Sequence, residues 1–93
     1  MYYKLYHNVF DSPPPEERRT LFDKFYKEHG VELVGVFRNR ENPLEFYMIT
    51  AYRDMEHYQE FINIVQEDPE YVAMTKRVSE VRRFSESITL EKV

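Results

Sequence analysis

Residues 2–10, YYKLYHNVF, carry aromatic and β-branched side chains on both sides of a two-residue alternation, which reads as a strand. One side holds Tyr2, Lys4, Tyr6, Asn8 and Phe10; the other holds Tyr3, Leu5, His7 and Val9. Asp11-Ser12-Pro13-Pro14-Pro15 ends it. A proline keeps the residue before it extended, so a helix is predicted to begin near Pro15, with Glu16 and Glu17 in its first turn. Leu21, Phe22, Phe25, Tyr26 and His29 then recur at helical spacing, and Gly30 follows as a C′ residue. Residues 31–38 and 44–53 read as two strands joined by the turn signals of 39–43, hence a hairpin. Asp54 is a good N-cap for a second helix whose apolar face is Met55, Tyr58, Phe61, Ile62 and Val65. Asp68-Pro69-Glu70 opens a third helix over about 69–79. Residues 81–91, with Val81, Phe84, Ile88 and Leu90, read as the last strand.

The order β-α-β-β-α-α-β, with a central hairpin and a crossover on each side, predicts an α+β fold. It is the ferredoxin-like βαββαβ arrangement, a four-stranded antiparallel sheet with helices on one face, and residues 1–93 read as one domain. Neither face of the first or third strand is polar enough for bulk water, so the sheet is expected to be covered on both sides. One helical layer covers one side; a second copy of the chain is the simplest cover for the other. Composition agrees with a homodimer. The chain has 93 residues, no cysteine for a disulfide, eight Tyr and seven Phe, and a domain this small gains stability by association.

Charge narrows the partners. The net charge is −4 and the pI about 5.4, which argues against a surface that tracks phosphates, and the aromatic signature of RNA-recognition strands is missing from residues 44–52. The doublets Arg18-Arg19 and Arg82-Arg83 are flanked by carboxylates and read as solvated faces. No stretch approaches 18 apolar residues, so no membrane partner is expected and the expected location is cytoplasmic.

Leu33-Val34-Gly35-Val36-Phe37, Asn42-Pro43-Leu44, Tyr52-Arg53-Asp54 and Asp68-Pro69-Glu70, in this order, resemble the NIPSNAP family. The resemblance spans about residues 1–91. It implies the dimeric α+β-barrel superfamily, which also holds the antibiotic-biosynthesis-type monooxygenases. A tryptophan frequent near the end of the third strand is absent. Heme-degrading relatives in that superfamily use an asparagine, a tryptophan and an iron-ligating histidine, which would fall on Asn8, Phe61 and Thr75 here. Two of the three are changed, the ligand among them, so no heme is expected.

The three histidines, His7, His29 and His57, lie on different elements without metal-ligand spacing, so neither metal nor cofactor is expected. His29 reads as a helix-terminal residue. His57 reads either as an exposed helix residue or as a neutral base beside a pocket. Asn8 reads either as a strand-end residue or as an amide that orients a substrate. Tyr6 and Asn8 share a strand face, and Tyr58 and Phe61 share a helix face. These four are the expected lining of a site for a small aromatic or apolar molecule between sheet and helices, with Asn8 and His57 the candidates for chemistry. Cofactor-independent oxygenation and a purely structural or regulatory dimer are the alternatives.

Overall fold

The structure, a computed structural model, describes residues 1–93. Its elements are β1 (Tyr2–Phe10), α1 (Glu17–Glu28), β2 (Glu32–Arg38), β3 (Glu45–Tyr52), α2 (Met55–Gln66), α3 (Pro69–Glu80) and β4 (Arg82–Leu90). The strands form one antiparallel sheet in the order β2-β3-β1-β4, which is the ferredoxin-like arrangement. The shortest axis spans 18 Å, room for a sheet and a single helical layer.

Local chemistry sets most boundaries. Asp54 caps α2 by accepting from the backbone N–H of His57 at 2.8 Å. Asp68 caps α3 through Glu70 and Tyr71, both at 3.0 Å, with Pro69 at the first helical position. Gly30 ends α1 at φ +68°, and the Val31 N–H returns to the Tyr26 carbonyl at 2.8 Å. Val31 is itself buried against Tyr26, the apolar contact that accompanies this type of helix end. The β2–β3 hairpin is held by two asparagines: Asn39 Oδ1 accepts from the Glu41 N–H at 2.9 Å and Asn42 Oδ1 from the Leu44 N–H at 3.1 Å.

Helix α1 begins two residues later than the proline rule implies. The Arg18 and Arg19 N–H groups bond to the carbonyls of Pro15 and Glu16, each at 3.3 Å. That i→i+3 pattern winds the chain from Pro15 more tightly than an α-helix, and the α ladder starts at Glu17.

The buried stripe of α2 is also rotated from its expected position. His57, Phe61 and Val65 are buried at i, i+4 and i+8, whereas Met55 is 61% exposed. Tyr58 and Ile62 flank the stripe and pack against the same core, which is built of Phe25, Tyr26, Val31, Tyr52, Phe61 and Val65. A smaller cluster of Phe10, Met74 and Val78 sits where α3 crosses the end of β1.

The two faces of the sheet differ in an unexpected sense. The register pairs Tyr6 with Met48 and Ser87, and Asn8 with Phe46 and Ser85, so these side chains share the face toward the helices. The opposite face carries Leu5, Val9, Tyr47, Ile49, Phe84 and Ile88. In β4 the serines therefore point toward the protein's own helices, and Phe84 and Ile88, 44% and 41% exposed, point away from them.

Candidate functional site

The sheet and the helices do not close on each other completely. Between them lies a cavity of about 510 Å³, within the range of small-ligand sites. Tyr6, Asn8, Tyr58 and Phe61 all line it, so the four residues expected to form a pocket do come together. Thr75 lines it from α3. The wall between them is largely aromatic and aliphatic, with Phe22, Phe46, Met48 and Ile62 among its members.

Asn8 faces the helices three residues before the proline turn begins at Asp11, and its Oδ1 is buried with no hydrogen-bond partner. An unpartnered buried acceptor costs about 1–3 kcal/mol. The same cavity is lined by phenols that burial keeps neutral: Tyr6 and Tyr26 are pushed far above the ordinary phenol range, and Tyr71 is pushed up to about 12. Their hydroxyls are therefore donors or acceptors at any physiological pH, not bases. Tyr26 donates weakly to the Met48 sulfur at 4.0 Å.

The other candidates are placed elsewhere. His57 is 4% exposed, which corrects the expectation of an exposed helix residue, and it does not line the cavity. Its Nδ1 accepts from the Arg53 N–H at 3.1 Å, and its Nε2–H donates to the His29 carbonyl at 2.7 Å. Both ring nitrogens are thus used in tying the β3–α2 turn to the end of α1. His29 is the C-terminal residue of α1's capping turn, as expected. His7 lies on the open sheet face, its ring stacked 4.4 Å from that of Tyr47 and its Nε2 2.7 Å from Glu45 Oε2. Glu45 also accepts from Asn39 Nδ2 at 2.7 Å and from the Tyr47 hydroxyl at 3.0 Å. The hydrogen bonds from Asn39, His7 and Tyr47 hold its carboxyl below the usual range.

Arg18 and Arg82 depart from the solvated faces expected of the arginine doublets. Arg18, Arg19 and Arg82 line the cavity, and Arg18 and Arg82 are only half-exposed. Arg18 reaches the cavity from the first turn of α1, where its guanidinium lies over the Phe46 ring at the end of the sheet. The bland reading holds for Arg83, which lies 3.7 Å from Asp11.

No protein-family description and no curated protein matches the chain. Solved structures do. The architecture defines an α+β protein of ferredoxin-like fold whose structural neighbours are NIPSNAP family proteins and antibiotic biosynthesis monooxygenases. A protein from Agrobacterium tumefaciens matches with a TM-score of 0.81 at 19% identity, over 100% of this chain and 94% of that one. An uncharacterized NIPSNAP domain protein from Burkholderia xenovorans matches with a TM-score of 0.71 at 20% identity, over 100% and 95% of the two chains. SnoaB, a cofactor-independent oxygenase from Streptomyces nogalater, matches with a TM-score of 0.65 at 12% identity, over 98% and 92%. At these identities the likeness is one of fold. It agrees with the resemblance carried by residues 33–37, 42–44, 52–54 and 68–70. No helix is long and apolar enough to cross a membrane.

Proposed function

We propose that the protein is a homodimer that binds a small apolar or aromatic molecule between its sheet and its helices. The observation that carries the binding reading is the aromatic-walled cavity with Asn8 in its wall, a side chain whose Oδ1 is buried and has no partner in the chain. A turn of the Asn8 amide about its last bond brings a polar group to a ligand in the cavity, while the walls supply apolar surface. The lining favours binding over proton abstraction. Its titratable groups are phenols, arginines and Asp23, and the Asp23 carboxylate lies 3.1 Å from the Lys27 ammonium. A cofactor-independent oxygenase would need a base that removes a proton from its substrate, and none of these is suited to that task.

A thermal-shift screen of aromatic and aliphatic compounds on wild type and Asn8→Ala tests the site. A compound that raises the midpoint of the wild type and not of the variant supports it. If nothing in a broad screen stabilises the wild type, the pocket reading fails. Asn8→Ala itself is expected to leave the fold intact, because it removes an unsatisfied group rather than a hydrogen bond.

The dimer reading is supported by β4, where apolar side chains point away from the protein's own helices. Phe37, Phe84 and Ile88, at 56%, 44% and 41% exposure, lie on one sheet face together with the half-buried Leu5, Val9 and Ile49. Contiguous apolar patches of this kind mark interaction surfaces. A second copy covers the patch by the same residues, as a two-fold interface requires, and a stable one should bury about 1,600 Å² or more. Light scattering at micromolar concentration should give twice the 11.4 kDa chain mass. A clean monomer would remove the dimer.

A further inference from the structure

The cavity is polarised along its length. At one end, Arg82 pairs with Phe10 in the sheet, Asn8 pairs with Phe46, and the Phe10 and Phe46 rings lie 5.8 Å apart. The Arg18 guanidinium lies 5.4 Å over the same Phe46 ring. Arg18, Arg82 and the free amide of Asn8 therefore occupy one end of the cavity. Toward the other end stand Tyr58 and Phe61, which pack with Tyr52. Lys4 does not line the cavity; its ammonium lies 4.8 Å over the Tyr58 ring and donates to Thr89 Oγ1 at 2.8 Å.

The cations at the first end have no direct carboxylate partner: Glu16 acts on Arg18 only from a distance, and Asp23, also in the lining, lies 3.1 Å from Lys27. None of Arg18, Arg19 and Arg82 forms an ion pair with a carboxylate, although the protein as a whole is acidic at −4. By contrast, Arg77 lies 3.5 Å from Glu17 and Arg83 lies 3.7 Å from Asp11. Arg18 donates one bond, to the Pro15 carbonyl at 2.9 Å, which fixes the guanidinium and leaves other donors of its fork free. Burial and then the neighbouring Arg19 lower its basicity, and the Glu16 carboxylate offsets them only in part. A half-buried, oriented and unpaired guanidinium is the residue type that binds oxyanions in two-pronged geometry. The Asn8 amide can turn about its last bond to present its NH2 group to the same anion.

We propose that the ligand is an amphipathic acid: an apolar body lies along the phenol-lined end of the cavity, and a carboxylate or phosphate head is held by Arg18 and Arg82, with Asn8 beside it. This inference rests on the apolar-ligand reading and adds the charge and the orientation of the ligand.

Calorimetric titration with decanoate, decyl phosphate and 1-decanol separates the two. Decanoate or decyl phosphate is expected to bind one-to-one and at least about tenfold more tightly than the alcohol of the same chain length, since charge-assisted bonds are worth about 1.5–3 kcal/mol. The preference should shrink with added salt. In Arg18→Gln/Arg82→Gln it should vanish while 1-decanol binds as before, which also shows that the variant's cavity is intact. The more tightly bound of the two acids identifies the head group. Equal binding of acid and alcohol by the wild type would overturn the acid assignment and leave the apolar pocket standing. Failure of all three probes to bind would sink the pocket reading and the inference with it. An Arg53→Gln control, outside the cavity lining, should keep the wild-type preference; its loss there would show a bulk charge effect and overturn the role of Arg18 and Arg82.

Discussion

Phe61→Ala should cost about 3–5 kcal/mol of folding free energy, the range for removing a buried aromatic ring. Phe61 is 2% exposed and its ring packs against Tyr26, His29, Tyr52 and Tyr71, with centroids 5.6 to 6.5 Å away. Four rings lose a neighbour at once, and aromatic pairs contribute about 0.5–1.5 kcal/mol beyond the area they bury. The adjoining cavity works in the same direction, because the vacated space merges with it instead of being filled by collapse. A chain of this length has roughly 5–14 kcal/mol in all, so the variant should be visibly destabilised at room temperature. Urea unfolding followed by circular dichroism should show the midpoint falling by about 2 M, given a slope of about 1–3 kcal/mol per molar. Met55→Ala is the companion measurement. It should shift stability by no more than about 0.5 kcal/mol, as an exposed position does. Equal losses at the two positions would mean that the buried stripe of α2 runs where the apolar pattern alone puts it.

That comparison shows where the sequence was legible and where it was not. Helix starts were readable because Asp54 and Asp68-Pro69 act within three residues, and Gly30 marks its helix end for the same local reason. The sheet order follows from a hairpin flanked by crossovers, and the resemblance at residues 33–37 and 52–54 points the same way. Phe61, Tyr58, Tyr6 and Asn8 could be grouped because strand and helix periods are fixed geometry. Three things were out of reach. Which face of β1 met the helices depends on the sum of packing over all four strands, and β4 contradicts the ordinary rule by turning its serines inward. The roles of Arg18 and Arg82 depend on how the first turn of α1 meets the end of the sheet, a long-range placement that a doublet of charges does not encode. The burial of His57 was hidden because imidazole is not counted as apolar. Its two ring nitrogens are satisfied by backbone groups of Arg53 and His29, and a residue 28 positions away cannot be read from local pattern.

His57→Leu should cost about 2–4 kcal/mol although it keeps an apolar side chain of similar bulk at a buried site. The loss comes from two backbone groups, the Arg53 N–H and the His29 carbonyl, which the imidazole satisfies at 3.1 and 2.7 Å. Both bonds are part-buried, and each group left without a partner costs up to about 1–3 kcal/mol; leucine reaches neither. The arrangement also dictates the tautomer. A backbone N–H can only donate, so Nδ1 must accept and Nε2 must carry the proton that goes to the carbonyl. Asparagine can place its amide oxygen near Nδ1 and recover the bond to Arg53, and glutamine can reach toward His29 with its amide nitrogen. Each should therefore restore part of the loss, so that both fall between wild type and leucine. Chemical denaturation of the three variants gives the order, and nitrogen-15 spectra of the imidazole give the tautomer independently. A catalytic base would behave differently: leucine would leave stability nearly unchanged, and its effect would appear only with a ligand bound. A destabilisation below about 0.5 kcal/mol for His57→Leu, or a proton resident on Nδ1, would contradict the structural role and return His57 to the candidates for chemistry.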